Sequence, residues 1–407
     1  MTKMERLRSL YHYALAWIGS IWYGHPSKKL FVVGVTGTKG KSTVTELINA
    51  ILEAAGKKTA ISSSVRFKIG GESVQNTTGM SMPGRFFIQR FLADAVAEHC
   101  DYAVIEVTSQ GILQHRHRFV HFDAAVITNL EPEHIEAHGS FENYRDSKMR
   151  LFSDTAFHSA KPEKAFIINS DARDYEFFVG AVAEKGVVTL FNKHDVAKVK
   201  IKTKLMGEFN LENIAAAIAF ARSQDIDWDT IKNAIESFDG VPGRLEFVQK
   251  TPFPVIIDYA HTPDSLEKVY QTVKPGRDKQ GEHKLICVLG AAGGGRDMWK
   301  RPVMGEIAGK YCDQIILTNE DPFDEDPQEI LDEIEAGILH TAKKKVRMVL
   351  DRRDAIRTAV RLAKKGDTVI ITGKGSESSI RMAGGKKIPW NEKEIVSKIL
   401  NSEWIEA

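Results

Sequence analysis

Residues 34–43 read Gly-Val-Thr-Gly-Thr-Lys-Gly-Lys-Ser-Thr and follow Leu30-Phe-Val-Val33, an apolar run suited to a buried strand. Strand, glycine-rich turn and helix in that order make a phosphate cradle. The glycines let backbone N–H groups approach an anion, and the helix start adds its positive dipole end. Lys41 is placed to reach terminal phosphates, and Ser42 to offer its hydroxyl to Mg²⁺. Gly37, Thr38, Lys39, Gly40 and Thr43 complete the cradle. The strict pattern G-x-x-x-x-G-K-S/T has a glycine where this chain has Val35, so the loop is a variant.

A chain of 407 residues holds two or three domains at about 100–200 residues each. Its 56 basic and 54 acidic side chains nearly cancel, so nothing global attracts nucleic acid and any anion binding must be local. Cys100, Cys287 and Cys312 lack metal-ligand spacing and are odd in number, which predicts buried free thiols in a reducing cytoplasm. Residues 11–23 are apolar and aromatic behind Lys3, Arg6 and Arg8, but lack a small-x-small cleavage site and are too short to span a bilayer. They predict an amphipathic helix docked on the body, with membrane-surface or protein contact through residues 5–24 as the alternative.

After the loop, Val44, Leu47, Ile48, Ile51 and Leu52 have helical spacing and the run stops at Gly56. Strands are expected at 102–107, 124–130 and 165–169, with helices at 85–98, 144–152 and 213–222. The alternation implies a parallel sheet covered on both faces. Asp239-Gly-Val-Pro-Gly243 breaks the composition and marks a domain boundary. A second series follows, with strands at 255–258, 284–289, 314–317, 348–350 and 368–372. Gly290-Ala-Ala-Gly-Gly-Gly295 is not a dinucleotide fingerprint, because G-x-G-x-x-G is absent and Arg296-Asp297 follows.

Glu106 ends an apolar strand, where an α/β sheet aims a carboxylate at the loop's metal; the plainer reading is a cap or surface carboxylate. His134, in Glu131-Pro-Glu-His-Ile-Glu-Ala-His138, is a candidate metal or phosphate partner, although a lone histidine there is more often structural. Lys148, read alone on its helix, is a solvated surface lysine.

These pieces, taken in order with Glu106-Val-Thr-Ser-Gln-Gly111, Thr128-Asn-Leu-Glu-Pro-Glu-His134, Tyr144-x-x-x-Lys148, Gly207-Glu-Phe-Asn-x-x-Asn213, Gly243-Arg-x-Glu246, Asp258-Tyr-Ala-His-Thr-Pro263, Gly293-Gly-Gly-Arg-Asp297 and Gly373-Lys-Gly-Ser-Glu377, carry a resemblance. The chain resembles the Mur ligases, and within them the type that adds the third peptide residue of the bacterial cell-wall precursor. The resemblance runs from about Pro26 to near residue 400.

It implies an α/β protein with a central P-loop ATPase domain on a parallel-rich sheet (30–241), a C-terminal Rossmann-like domain (242–407), and residues 1–29 as a helix and linker. It implies a cytoplasmic enzyme using ATP and Mg²⁺ to join an amino acid to a peptide carboxylate through an acyl phosphate. Ser42, Glu106, His134 and Lys148 match metal-holding positions, Lys148 as a carbamate, with Lys41, His134 and Lys148 as the catalytic set. Asn210, Asn213, Arg244 and Asp258 match adenosine contacts. Thr77, Thr78, Thr108, Gln114 and Arg116 match acceptor contacts, and Arg296, Glu320, Asp321, Pro322, Phe323, Gly373 and Glu377 match amino-acid contacts.

Three departures stand out. The uridine-nucleotide domain expected before the loop is not in the 33 residues that precede Gly34. Phe323 takes the place of an arginine that grips diaminopimelate, and with the acidic run Glu320–Asp326 this points to a basic amino acid instead. Gln110 and Ser376 replace histidines. Rival readings are a cyanophycin- or folylpolyglutamate-type ligase, or a non-catalytic binding subunit of a cell-wall complex.

Overall fold

The computed structural model describes residues 3–133, 138–278, 281–295, 297–340 and 345–403. They divide into two compact units, residues 1–239 and 240–407.

The first unit is built on β1 (Phe31–Thr36), β2 (Thr59–Ser62), β3 (Arg66–Ile69), β4 (Glu72–Gln75), β5 (Tyr102–Glu106), β6 (Ala124–Ile127), β7 (Ala165–Asn169) and β8 (Val187–Phe191). Its helices are α1 (Lys3–Trp22), α2 (Lys41–Ala54), α3 (Arg85–Ala97), α4 (Ser109–Leu113), α5 (Phe141–His158), α6 (Tyr175–Val182), α7 (His194–Lys198), α8 (Glu208–Ser223) and α9 (Trp228–Ser237). The sheet order is β4-β3-β2-β5-β1-β6-β7-β8, parallel except where the hairpin β3–β4 joins antiparallel at one edge. β1 sits inside it because alternate residues serve two cores. Val32 packs with Phe122 and Leu151, whereas Val33 and Val35 pack with Leu47, Ile48 and Ile214 of α2 and α8. All these side chains are buried, so truncating one such as Leu47 to alanine costs about 2–5 kcal/mol.

The second unit carries β9 (Glu246–Gln249), β10 (Val255–Ile257), a short β11–β12 ladder (Arg277–Asp278, Gly281–Glu282), β13 (Leu285–Leu289), β14 (Gln314–Leu317), β15 (Lys345–Met348), β16 (Thr368–Ile371) and the hairpin β17–β18 (Ser379–Arg381, Lys387–Pro389). Its helices are α10 (Pro263–Val273), α11 (Lys300–Tyr311), α12 (Pro327–His340), α13 (Arg352–Leu362) and α14 (Glu392–Glu403). The main sheet runs β15-β14-β13-β16-β10-β9, with β9 antiparallel.

Two expectations are corrected here. Cys287 on β13 and Cys312 after α11 form a disulfide with their Cα atoms 6.1 Å apart, leaving Cys100 as the free buried thiol. Two cysteines 25 positions apart carry no pairing signal until the strands are placed side by side. The strand expected at 348–350 lies earlier, at Lys345–Met348.

The N-terminal helix docks on the first unit through its small residues. Ala16 and Ser20 are fully buried, Ser9 Oγ lies 2.8 Å from His115 Nε2, and the Tyr13 ring meets the His115 and Phe119 rings edge-on. Burial, reinforced by His117, Arg118, Arg150 and His12, pushes the His115 imidazole down to about 4. A folded-state value below the ordinary 6.5 means that the unfolded chain takes up the proton first. The contact therefore contributes fully above pH 6.5 and is lost as pH falls towards 4. Tryptophan fluorescence from Trp17 and Trp22 is expected to report loosening of α1 in that window, and His115→Gln to flatten the transition.

Candidate active site

The phosphate loop leaves β1 at the middle of the sheet, and its two glycines are required by what lies against them. Gly37 (φ 146°) and Gly40 (φ 81°) are both in backbone regions that side chains avoid. A Cβ on Gly37 would fall 1.9 Å from Thr128 Oγ1, and one on Gly40 would fall 2.1 Å from Asn213 Oδ1. The loop is thus clamped between the segment after β6 and the side of α8. Asn129 finishes the clamp: its carbonyl accepts from Thr38 N (3.1 Å), and its Oδ1 accepts from Lys39 N (2.8 Å). Tyr144 OH donates to Thr38 Oγ1 at 3.1 Å, and Lys39 pairs with Glu133 at 2.6 Å.

At the head of α2, Ser42 Oγ donates to Glu106 Oε2 at 3.0 Å. The same oxygen accepts the Ser64 amide at 2.9 Å, and Ser64 Oγ is 2.9 Å from Ser42 Oγ. Glu106 is buried, which excludes the surface-carboxylate reading. Ser64 carries no signal in the sequence, because only the pairing of β2 beside β5 brings it to Glu106. A hydroxyl and a carboxylate side by side are hard oxygen donors suited to Mg²⁺, so these residues fit the ion. His134 and Arg296 lie outside the described residues.

Lys148 is the largest departure from a reading of single residues. It is 1% exposed, and its Nζ donates to Gly37 O at 2.7 Å while lying 4.5 Å from the centre of the Tyr144 ring. Burial first, then Lys41, holds its ammonium well below the usual lysine range, against a smaller pull from Glu133. Lys41 Nζ folds back on the Gly37 and Thr38 carbonyls at 3.0 and 2.9 Å.

The other expected contacts of this unit form two groups. Asn213 Nδ2 donates to Asn210 Oδ1 at 2.9 Å, which fixes both asparagines beside the loop. Thr78 Oγ1 donates to Asn76 Oδ1 (2.7 Å), and Asn76 Nδ2 donates to Met80 O (2.9 Å). Arg116 reaches the Met82 carbonyl and Gln114 Oε1, so Gln114 and Arg116 lie against residues 76–82, the stretch that carries Thr78. Thr77 is exposed beside them, and Thr108 caps α4 by accepting from Gly111 N at 3.0 Å.

In the second unit one polar chain links three of the expected residues, Arg244, Glu377 and Asp321. Arg244 lies over the Tyr259 ring at 4.3 Å, and Tyr259 OH donates to Glu377 Oε1 at 3.1 Å. Lys374, fully buried, bridges Glu377 and Asp321, the latter at 2.8 Å. Asp258 is used to hold a turn, accepting from Leu245 N (2.8 Å) and Ala260 N (2.7 Å). Phe323 N donates to Arg381 O at 3.1 Å and its ring faces Gly294, while Gly293 N donates to the Asp321 carbonyl at 2.8 Å.

The acidic run is not the open grip that its composition suggests. Asp324 accepts from Gly384 N, Glu325 pairs with Arg301 at 2.7 Å, and Asp326 caps Gln328 N. Glu320 alone in this run keeps a buried oxygen, Oε2, without a hydrogen-bond partner among the described residues. It sits against Gly373, with Asp321 following it in the chain. Burial raises its carboxyl to about 7, against the pull of Lys374 and Arg352.

Two family models match the chain: the Mur ligase middle domain over residues 35–198, and the Mur ligase, glutamate ligase domain over residues 243–375. The chain belongs to the Mur ligase family. Members of this family are ATP-dependent amino-acid ligases, and this Mur ligase is an enzyme of that kind, of the peptidoglycan branch. It is 37% identical to a UDP-N-acetylmuramoyl-L-alanyl-D-glutamate–2,6-diaminopimelate ligase of Syntrophomonas wolfei, covering 96% of this chain and 82% of that protein. It is equally 37% identical to a UDP-N-acetylmuramyl-tripeptide synthetase of Roseiflexus, covering 93% and 80%. A solved diaminopimelate ligase superposes with a TM-score of 0.60 at 25% identity, covering 92% and 79%. The folylpolyglutamate synthase of Mycobacterium tuberculosis shares the fold, with a TM-score of 0.70 at 18% identity, covering 89% and 92%.

Glu320 is a cost to the folded Mur ligase. Its folded value lies above the ordinary 4.5, so the penalty is absent below pH 4.5 and grows as pH rises to about 7. Glu320→Gln is expected to stabilise the protein at pH 8 by on the order of 2–3 kcal/mol, and hardly at pH 4.5, while lowering turnover. Thermal melting at the two pH values checks the sign.

Proposed function

We propose that this Mur ligase adds a basic amino acid, such as lysine or ornithine, to the carboxylate of a muramyl dipeptide, using ATP and Mg²⁺. In the first step a carboxylate oxygen of the acceptor attacks the γ-phosphorus of ATP and ADP leaves. In the second the amine nitrogen attacks the acyl carbon, and phosphate leaves as the nitrogen gives up its proton. Both steps gather negative charge, which makes fixed positive charge the main demand on the site.

The observation that carries this reading is the convergence of Lys41, Ser42, Glu106 and Lys148 on one clamped loop. Loop amides hold the phosphates, and Lys41, now resting on loop carbonyls, turns to the terminal phosphate. Ser42 and Glu106, joined by His134 and Lys148 as the resemblance implies, would hold Mg²⁺, and the ion would supply positive charge against the phosphates. Burial favours the neutral amine of Lys148, which is the form that can take up CO₂ and become a carboxylate, as the family resemblance implies. Asn210, Asn213, Arg244 and Asp258 are the nucleotide contacts that the resemblance implies. Thr77, Thr78, Thr108, Gln114 and Arg116 serve the acceptor. Use of ATP fits a reaction in the cytoplasm.

The choice of a basic amino acid rests on charge and shape. Asp321 and Glu377 share Lys374, and Glu320 keeps a buried oxygen without a hydrogen-bond partner among the described residues, which supports room for an incoming ammonium. Phe323 offers no fork for a second carboxylate. Arg296 remains the expected clamp for the α-carboxylate.

Phosphate release with muramyl dipeptide acceptors, with and without a uridine diphosphate handle, is expected to run about tenfold or more faster with lysine or ornithine than with diaminopimelate. Equal rates would remove the basic-substrate reading. Lys148→Ala is expected to lower turnover by about 10²–10³-fold, as for loss of a group that stabilises transition-state charge. Unchanged turnover would remove Lys148 from the catalytic set.

A further inference from the structure

The docked N-terminal helix has a second face that the rest of the described chain leaves uncovered. Met4, Leu7, Tyr11, Ala14, Ile18 and Trp22 follow one another at three- and four-residue steps, so they form one stripe along the helix. All six are exposed, Met4 at 71% and Trp22 at 77%. A second exposed row of Leu10, Trp17 and Ile21 widens the stripe. The opposite face, carrying Ala16 and Ser20, is the buried one, so the exposed stripe does not belong to the protein's own core. A contiguous apolar surface of this kind on an otherwise polar exterior marks an interaction site.

Charge identifies what the site fits. Helical periodicity places Arg6 and Arg8 on opposite margins of the apolar face, and both are exposed, as are Lys28 and Lys29 just past its C-terminal end. Residues 1–29 hold five Lys or Arg against one acid, Glu5, a net charge of +4. Two copies meeting face to face would bring these like charges together. An anionic surface would be attracted by them. Tyr and Trp on the apolar face suit the boundary between headgroups and acyl chains, where an apolar ring body and a polar edge are both satisfied. No described helix is long and apolar enough to cross a membrane, so the geometry is that of a helix lying in the interface plane.

We infer that the exposed face of α1 is a docking surface for an anionic lipid bilayer, holding this ligase at a membrane surface without spanning it. The inference is independent of which amino acid the enzyme adds. Seated this way, α1 buries its stripe among the acyl chains while Arg6, Arg8, Lys28 and Lys29 meet headgroup phosphates. The attraction is therefore partly apolar and partly screened by salt.

The test is co-sedimentation of the full chain with vesicles of phosphatidylcholine alone, and with one quarter phosphatidylglycerol. Partition is expected to be about tenfold or more stronger on the anionic vesicles, to fall with added salt, and to shift tryptophan emission to the blue. Leu7→Asp and Ile18→Asp lie on the exposed stripe. Each is expected to abolish partition while melting temperature and phosphate release stay unchanged, and the two variants guard against a folding defect in either one. Arg6→Glu with Arg8→Glu is expected to remove the anionic preference. The inference is overturned if the wild-type chain stays in the supernatant with both vesicles, or if the Asp variants sediment as it does. It is also overturned if, without lipid, the wild-type chain forms a dimer that Ile18→Asp dissolves, because a second copy would then be the occupant.

Discussion

The close approach of Thr128 and Asn213 to the backbone of Gly37 and Gly40 is the constraint on which the first unit depends. Neither position has room for a single added carbon, so the loop has one available path between β1 and α2. That path fixes the Gly37 carbonyl, and the Gly37 carbonyl is where both Lys41 and Lys148 place their amines. Two ammonium groups on one carbonyl repel, and Lys148, the more buried, is the one whose ammonium is pushed well below the usual lysine range. The reactivity expected of Lys148 thus follows from the packing of a loop it does not belong to.

A different balance governs the second unit. Lys374, Arg352, Asp321, Glu320 and Glu392 are all buried charged groups, and each would be expensive alone. Arg352 and Glu392 offset theirs with a 2.6 Å pair, and Arg352 also ties down the Asn319 and Thr372 carbonyls. Breaking such a pair costs about 3–5 kcal/mol, because the orphaned charge stays buried. Those two carbonyls flank Glu320 and Gly373 in sequence, so the pair holds the loops that carry the candidate amino-acid contacts. Glu320 is left short of partners, and an unsatisfied buried carboxylate is a poor structural element but a ready acceptor for a ligand's ammonium.

Much of this is legible in the chain. The run from Leu30 to Thr43 specifies strand, loop and helix by itself, because apolar run, glycines and Gly-Lys-Ser-Thr are all local signals. The strands at 165–169 and 314–317 coincide with β7 and β14, where short branched runs stand between clear breaks. The β3–β4 hairpin is illegible because its exposed edge strand, Glu-Ser-Val-Gln, carries no apolar alternation to detect. Ser64 and the Cys287–Cys312 bond are hidden for a different reason: each depends on which strands are neighbours.

Residue types and their spacing determined a glycine-rich phosphate cradle between strand and helix and an aromatic helix ahead of it, and they raised Glu106 as a candidate metal partner beside the reading of a cap or surface carboxylate. Only the tertiary structure decided the charge states and the partners. It buried a lysine that reads as a surface residue, and it paired off most of an acidic run that reads as open. It also left one face of α1 uncovered. The physical reason is the same in each case. Desolvation and pairing are properties of surroundings assembled from distant segments, so no local pattern at Lys148, Glu320 or Ile18 can encode them.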